Sequence, residues 1–97
     1  VVTLKPAHPL EIAMKDREGT FTLVAVVGQN IEKPNLWHAA GYVHAEGEVR
    51  YLESVRAGTD FETRQAAVHG GIEGARQIAR RLDPDDSWAK RDRDGRL

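Results

Sequence analysis

Ninety-seven residues with a formal net charge of −1, 40% apolar and 30% charged side chains, make one small domain with no global attraction for nucleic acid or an anionic membrane. The absence of cysteine excludes disulfides, thiolate catalysis and cysteine-based zinc sites. No apolar run approaches the roughly 20 residues of a membrane-spanning helix, so the expected location is cytoplasmic, while a start at Val1-Val2 without methionine leaves room for an upstream segment.

Pro6 and Pro9 keep the first residues extended or irregular, because proline has no N–H to give to a ladder or a helix interior. Leu10 to Met14 then alternates, and Thr20 to Val27 is rich in β-branched residues, so the two read as strands of one hairpin. With Asp16 to Gly19 as the loop, Met14 faces Phe21, Ile12 faces Leu23 and Leu10 faces Ala25, which places every large apolar residue on one side. Gly28 to Asn35 is a polar connection. Trp37–His44 and Val49–Arg56 form a second hairpin around Ala45, Glu46 and Gly47, with Val43 facing Val49, Gly41 facing Tyr51 and Trp37 facing Val55. Tyr51 then covers the bare backbone of Gly41. The opposite side carries His38, Tyr42, His44, Glu48, Arg50 and Ser54.

The stretch from Phe61 to Leu82 reads as a helix, capped by Thr59 in a capping-box pattern with Glu62 or by Thr63. Val68, Ile72, Ala75, Ala79 and Leu82 make its apolar stripe, and Arg80 and Arg81 complement the dipole in its last turn. Asp83-Pro84 ends it. Residues 84–97 read as a charged, mobile tail with Trp88 as its one anchor, leaving 1–83 as the folded domain. Interior glycine costs about 0.8–1 kcal/mol relative to alanine, yet the helix holds Gly70, Gly71 and Gly74. Gly71 joins Ala67, Ala75 and Ala79 in a ridge of small residues. The ridge suits either close packing on the sheet or the docking of a partner helix or second protomer. Gly70 falls on the solvent side, where no packing reason applies.

Phe61-x-Thr63 followed by Ala67, Gly71 and Ala75, after a strand containing Trp37, resembles a family of small uncharacterised bacterial proteins that end in an aromatic strand hairpin and an F-x-T-x-x-x-A-x-x-x-G helix. The likeness runs roughly from Trp37 to Asp83. It implies the architecture, brings no activity, and favours Thr63 over Thr59 as the cap. Strands followed by a C-terminal helix are also similar in topology to the double-stranded RNA-binding domain, without that family's lysine cluster at the start of the helix.

His38 and His44 point the same way but lie roughly 20 Å apart along a strand, too far to share a metal, and no metal or cofactor is expected. Glu53, placed on the core side opposite Ala39, is a candidate general acid or base. His69 projects from the flank of the helix near Arg76. No nucleophile elbow, phosphate-binding loop, dinucleotide fingerprint or HExxH occurs.

The expected fold is α+β, an antiparallel sheet of three to four strands with one long C-terminal helix across one face. The first functional reading is a non-enzymatic interaction module with an unidentified protein partner or a second copy, using His38, Tyr42, His44 and Arg50 or the ridge around Gly71 and Ala75. The alternatives are an RNA-binding module using Arg76, Arg80 and Arg81, and a small-ligand or hydrolytic domain using Glu53 and the histidines.

Overall fold

The computed structural model describes residues 11–95. In chain order it contains β1 (Glu11–Glu18), β2 (Phe21–Gln29), β3 (Trp37–His44), β4 (Glu53–Phe61), α1 (Arg64–Ala79) and α2 (Trp88–Asp94). The strands form one antiparallel meander in the order β1-β2-β3-β4, and α1 packs across one face, as expected for an α+β fold. Among the described residues no helix is long and apolar enough to cross a membrane.

The first hairpin has a tighter turn than the alternation of apolar residues predicts. Gly19 takes a φ of 60°, which allows a two-residue turn through Gly19-Thr20 and carries β1 on through Glu18. Glu18 pairs with Phe21, Asp16 with Leu23 and Met14 with Ala25, instead of Met14 with Phe21 and Ile12 with Leu23. Leu10 lies outside the described residues. A bulge between Ile12 and Met14 turns Ile12, opposite Val26, onto the side away from α1. The register places two carboxylates on the helix side, and Arg76 of α1 reaches across to pair with both.

The second hairpin is offset from the expected one by four residues near its loop and, after two register shifts around Ala39, by six at Trp37. Val43 pairs with Glu53 and Gly41 with Val55, while Trp37 pairs with Phe61. An even offset keeps each residue on its expected side, but Val49 and Tyr51 now fall in a longer loop. That loop lets Leu52 donate its N–H to the Val43 carbonyl at 2.7 Å and bury its side chain in the core. Tyr51 does not cover Gly41; its ring lies against Tyr42 on the far face, centroids 4.8 Å apart.

What covers Gly41 is α1. A β-carbon on Gly41 would run into the Gly71 carbonyl, and one on Gly71 would lie 3.0 Å from both the Ala25 β-carbon and the Ala40 carbonyl. Ala67, Gly71, Ala75 and Ala79 are all buried here, so the ridge of small residues is the seam between helix and sheet. Phe21, Leu23, Val43, Leu52 and Ile72 fill the core at one end of the seam, and Val27, Ala39 and Ala67 with Trp37 and Phe61 at the other. Gly70 has a packing reason after all. Thr59 to Phe61 belong to β4, and the Phe61 ring lies over Gly70, where a β-carbon would sit 2.5 Å from Cζ. Gly74 makes room for Val55 in the same way, at 3.1 Å.

Thr63 is the cap, its hydroxyl accepting from the Ala66 N–H at 3.0 Å. Helix α1 ends at Ala79, short of the expected Leu82. Residues 84–95 do not trail away as a tail. Ser87 caps α2, and the Glu48 carboxylate accepts from the Trp88 and Ala89 N–H groups at 2.8 and 3.2 Å. The Trp88 indole N–H donates to the Tyr51 carbonyl at 3.0 Å, and the Arg50 guanidinium lies 3.5 Å from the centre of the indole ring.

Candidate interaction face

Antiparallel pairing sends alternate side chains to opposite sides of the sheet, and α1 covers only one of them. The open side carries Ile12, Lys15 and Arg17 from β1, and Thr22, Val24 and Val26 from β2. His38, Ala40, Tyr42 and His44 come from β3, and Ser54 and Arg56 from β4. Its centre is an apolar strip of Val26 and Ala40 next to the buried Val24, with Tyr42 beside it. Ile12 at 65% exposure and Tyr51 at 46% extend the strip into solvent, and Val49 at the rim is 94% exposed. Two shallow hollows flank the centre. One, of about 390 Å³, is lined by Ile12, Lys15, Val24, His44, Glu48 and Val49. The other, of about 490 Å³, is lined by His38, Ala40, Tyr42, Ser54 and Arg56.

His38, Tyr42 and His44 therefore share one surface, with the histidines at opposite ends of β3. Among the described residues no three His, Cys, Asp or Glu side chains converge as a metal site. Arg50 belongs instead to the loop that meets α2. Sequence reasoning passed over Lys15, because the expected strand ends at Met14, and Tyr51, because the expected register puts it on the core side; Arg56 shares the parity of Ser54 in both registers. Gly71 and Ala75, the ridge candidates, are buried under the sheet and present no surface.

The arginines proposed for nucleic acid are largely committed elsewhere. The Arg76 guanidinium, with its side chain only 18% exposed, pairs with Asp16 at 2.6 Å, Glu18 at 2.9 Å and Glu73 at 3.3 Å, and also donates to the Arg17 carbonyl at 3.1 Å. The Arg17 backbone N–H and the Arg76 guanidinium hold the Asp16 carboxyl below the usual aspartate range. Arg76 does the same for Glu18, with help from Arg80. The two carboxylates in turn raise the Arg76 pKa. Arg81 is exposed on the outer side of the turn after α1.

Glu53 pairs with Val43 on the helix side, as its parity predicts, but at the end of the sheet and not opposite Ala39. Its side chain is 44% exposed and meets Arg91 of α2 at 3.3 Å. That arrangement ties α2 to β4. His69 borders a larger open hollow of about 940 Å³ between β1 and the first turns of α1, with Ala13, Met14 and Arg64.

No protein-family model, curated protein or solved structure matches the chain.

Proposed function

We propose that this protein is a non-enzymatic binding module whose contact surface is the open face of the sheet. The observation that carries the reading is the unequal treatment of the two sheet faces. Helix α1 covers one with alanine and glycine except at the hollow beside β1, where Met14 is exposed, while the other leaves Ile12, Tyr42 and Tyr51 toward solvent within a polar border. A contiguous apolar centre with a polar rim is the surface pattern of an interaction site. Glu53, held by Arg91, gives the hydrolytic alternative no comparable support.

Site-specific photo-crosslinking tests this reading. A photoreactive residue replacing Val26, on the open face, is expected to trap a specific cellular adduct, protein or nucleic acid. The same residue replacing Gln77, exposed on the outer side of α1, is expected to trap little. Equal labelling at the two positions, or labelling mainly at Gln77, would assign contact to the helix side instead.

A further inference from the structure

We infer that the open face binds single-stranded nucleic acid, an inference that rests on that face being the contact surface. Charge in this domain is sorted by side. On the strands, Glu11, Asp16, Glu18 and Glu53 lie toward the helices, where Arg64, Arg76, Arg80 and Arg91 pair with them, while Asp60 at the end of β4 is paired by Lys33 of the β2–β3 connection at 3.7 Å. The open-face strand positions from Ile12 to Arg56 hold Lys15, Arg17 and Arg56 with His38 and His44, and no carboxylate. Among the described residues Lys15 and Arg56 form no ion pair, whereas Arg17 has one long contact with Glu46 at 3.9 Å. Glu48, which lines one hollow, has its carboxylate oxygens occupied by the first N–H groups of α2. The chain is nearly neutral, yet this face is complementary to an anion.

The apolar content of the face narrows the kind of anion. Lys15 and Arg56 stand on the two outer strands, three strand spacings across and two residues along, roughly 16 Å apart, with Val24, Val26, Ala40 and Tyr42 between them. Tyr51 meets Tyr42 edge to face. Flat apolar groups flanked by phosphates fit this arrangement, with bases over the tyrosines and the strip and phosphates at Lys15, Arg17 and Arg56. A duplex keeps its bases stacked away from such a surface. A second copy of this chain would set cations against cations. DNA and RNA share the chemistry, and the sugar is left to the experiment.

Fluorescence polarisation of the full chain with labelled oligo(dU) and oligo(U) of about 12 nucleotides, long enough for one small site, provides the test. Saturable binding is expected near 50 mM salt, weakening roughly twentyfold by about 200 mM if three phosphates are neutralised. Tyr42→Ala should weaken it about fivefold or more, and Tyr42→Phe, which keeps the ring, should restore it. Lys15→Glu/Arg56→Glu should abolish it, and Arg81→Ala should leave it unchanged, with circular dichroism verifying the fold of each variant. The tighter of the two oligonucleotides identifies the sugar. Absence of binding at low salt, or binding that survives Lys15→Glu/Arg56→Glu, overturns the assignment. Displacement by poly-glutamate as readily as by unlabelled oligonucleotide overturns it in favour of an acidic polypeptide. Crosslinking at Val26 separates the two levels. Protein adducts there with no oligonucleotide binding mean the ligand is wrong, and no adducts mean the surface is wrong.

Discussion

The Gly71 carbonyl occupies the place where a side chain on Gly41 would begin, so helix α1 and strand β3 meet backbone to backbone. Gly41→Ala must therefore push helix and sheet apart, and overpacking of this kind costs about 1–3 kcal/mol or more. Gly71→Ala meets its neighbours at 3.0 Å and also gains up to about 1 kcal/mol of helix propensity, so its loss is smaller. Urea unfolding should rank the two variants in that order, and a harmless Gly41→Ala would contradict the close seam.

Gly70 and Phe61 form a pair that a double-mutant cycle can isolate. In the native background an alanine at position 70 collides with the Phe61 ring and gains little or loses stability. In a Phe61→Ala background the same change should stabilise by up to about 1 kcal/mol, the ordinary preference of a helix for alanine over glycine. Equal effects of Gly70→Ala in the two backgrounds would mean that the ring does not lie over the glycine.

The Arg76 cluster predicts an acid-sensitive stability. Asp16 and Glu18 titrate below their ordinary values of 3.8 and 4.5, so the folded state holds fewer protons there than the unfolded chain. Their contribution is complete above those ordinary values and is lost as pH falls through the lower folded ones. Thermal melts of the wild type should drop across that window. Arg76→Ala should melt lower at neutral pH and show a shallower acid dependence, so that the two curves converge toward low pH. Parallel curves would remove Arg76 as the origin of the effect.

Replacing the clamp on α2 should loosen the end of the chain without unfolding the sheet. Glu48→Ala removes the acceptor for the Trp88 and Ala89 N–H groups, a capping loss of about 1 kcal/mol. Amide exchange should accelerate across residues 88–94 and the 46–52 loop while β2 and α1 keep their protection. Uniform acceleration across the domain would mean that α2 is part of the global folding unit.

Much of the architecture was legible because the periodicities were strong. The β-branched run of Thr20–Val27 and the alternation of Trp37–Val43 marked the central strands, and the four-residue spacing of Ala67, Gly71, Ala75 and Ala79 marked a face fit for close contact. Registers were harder to read, since sliding β4 by an even number of residues leaves every side chain on its original side. Asp16 and Glu18 look like turn residues until Arg76, about 60 positions later, is seen to neutralise them. Phe61 resembles a helix start, and only its ring on Gly70 reveals the end of a strand. Helix α2 was hidden because hydrogen bonds to Glu48 and stacking of Arg50 hold it, and such anchors leave no apolar rhythm. The candidate face was half visible: His38, Tyr42 and His44 alternate on one strand, but Lys15 and Tyr51 join them only through the actual pairings.

The bond from the Trp88 indole to the Tyr51 carbonyl gives the chain's last helix a grip on the open face. Tyr51 and Trp88 are 37 positions apart, yet the loop that carries the tyrosine is pulled from behind by the indole and by the Glu48 carboxylate. Helix α2 thus works as a tensioner for one aromatic ring. A chain cut after Asp83 would keep the sheet and α1 but let Tyr51 swing away from Tyr42, changing the front of the domain by an event at its end.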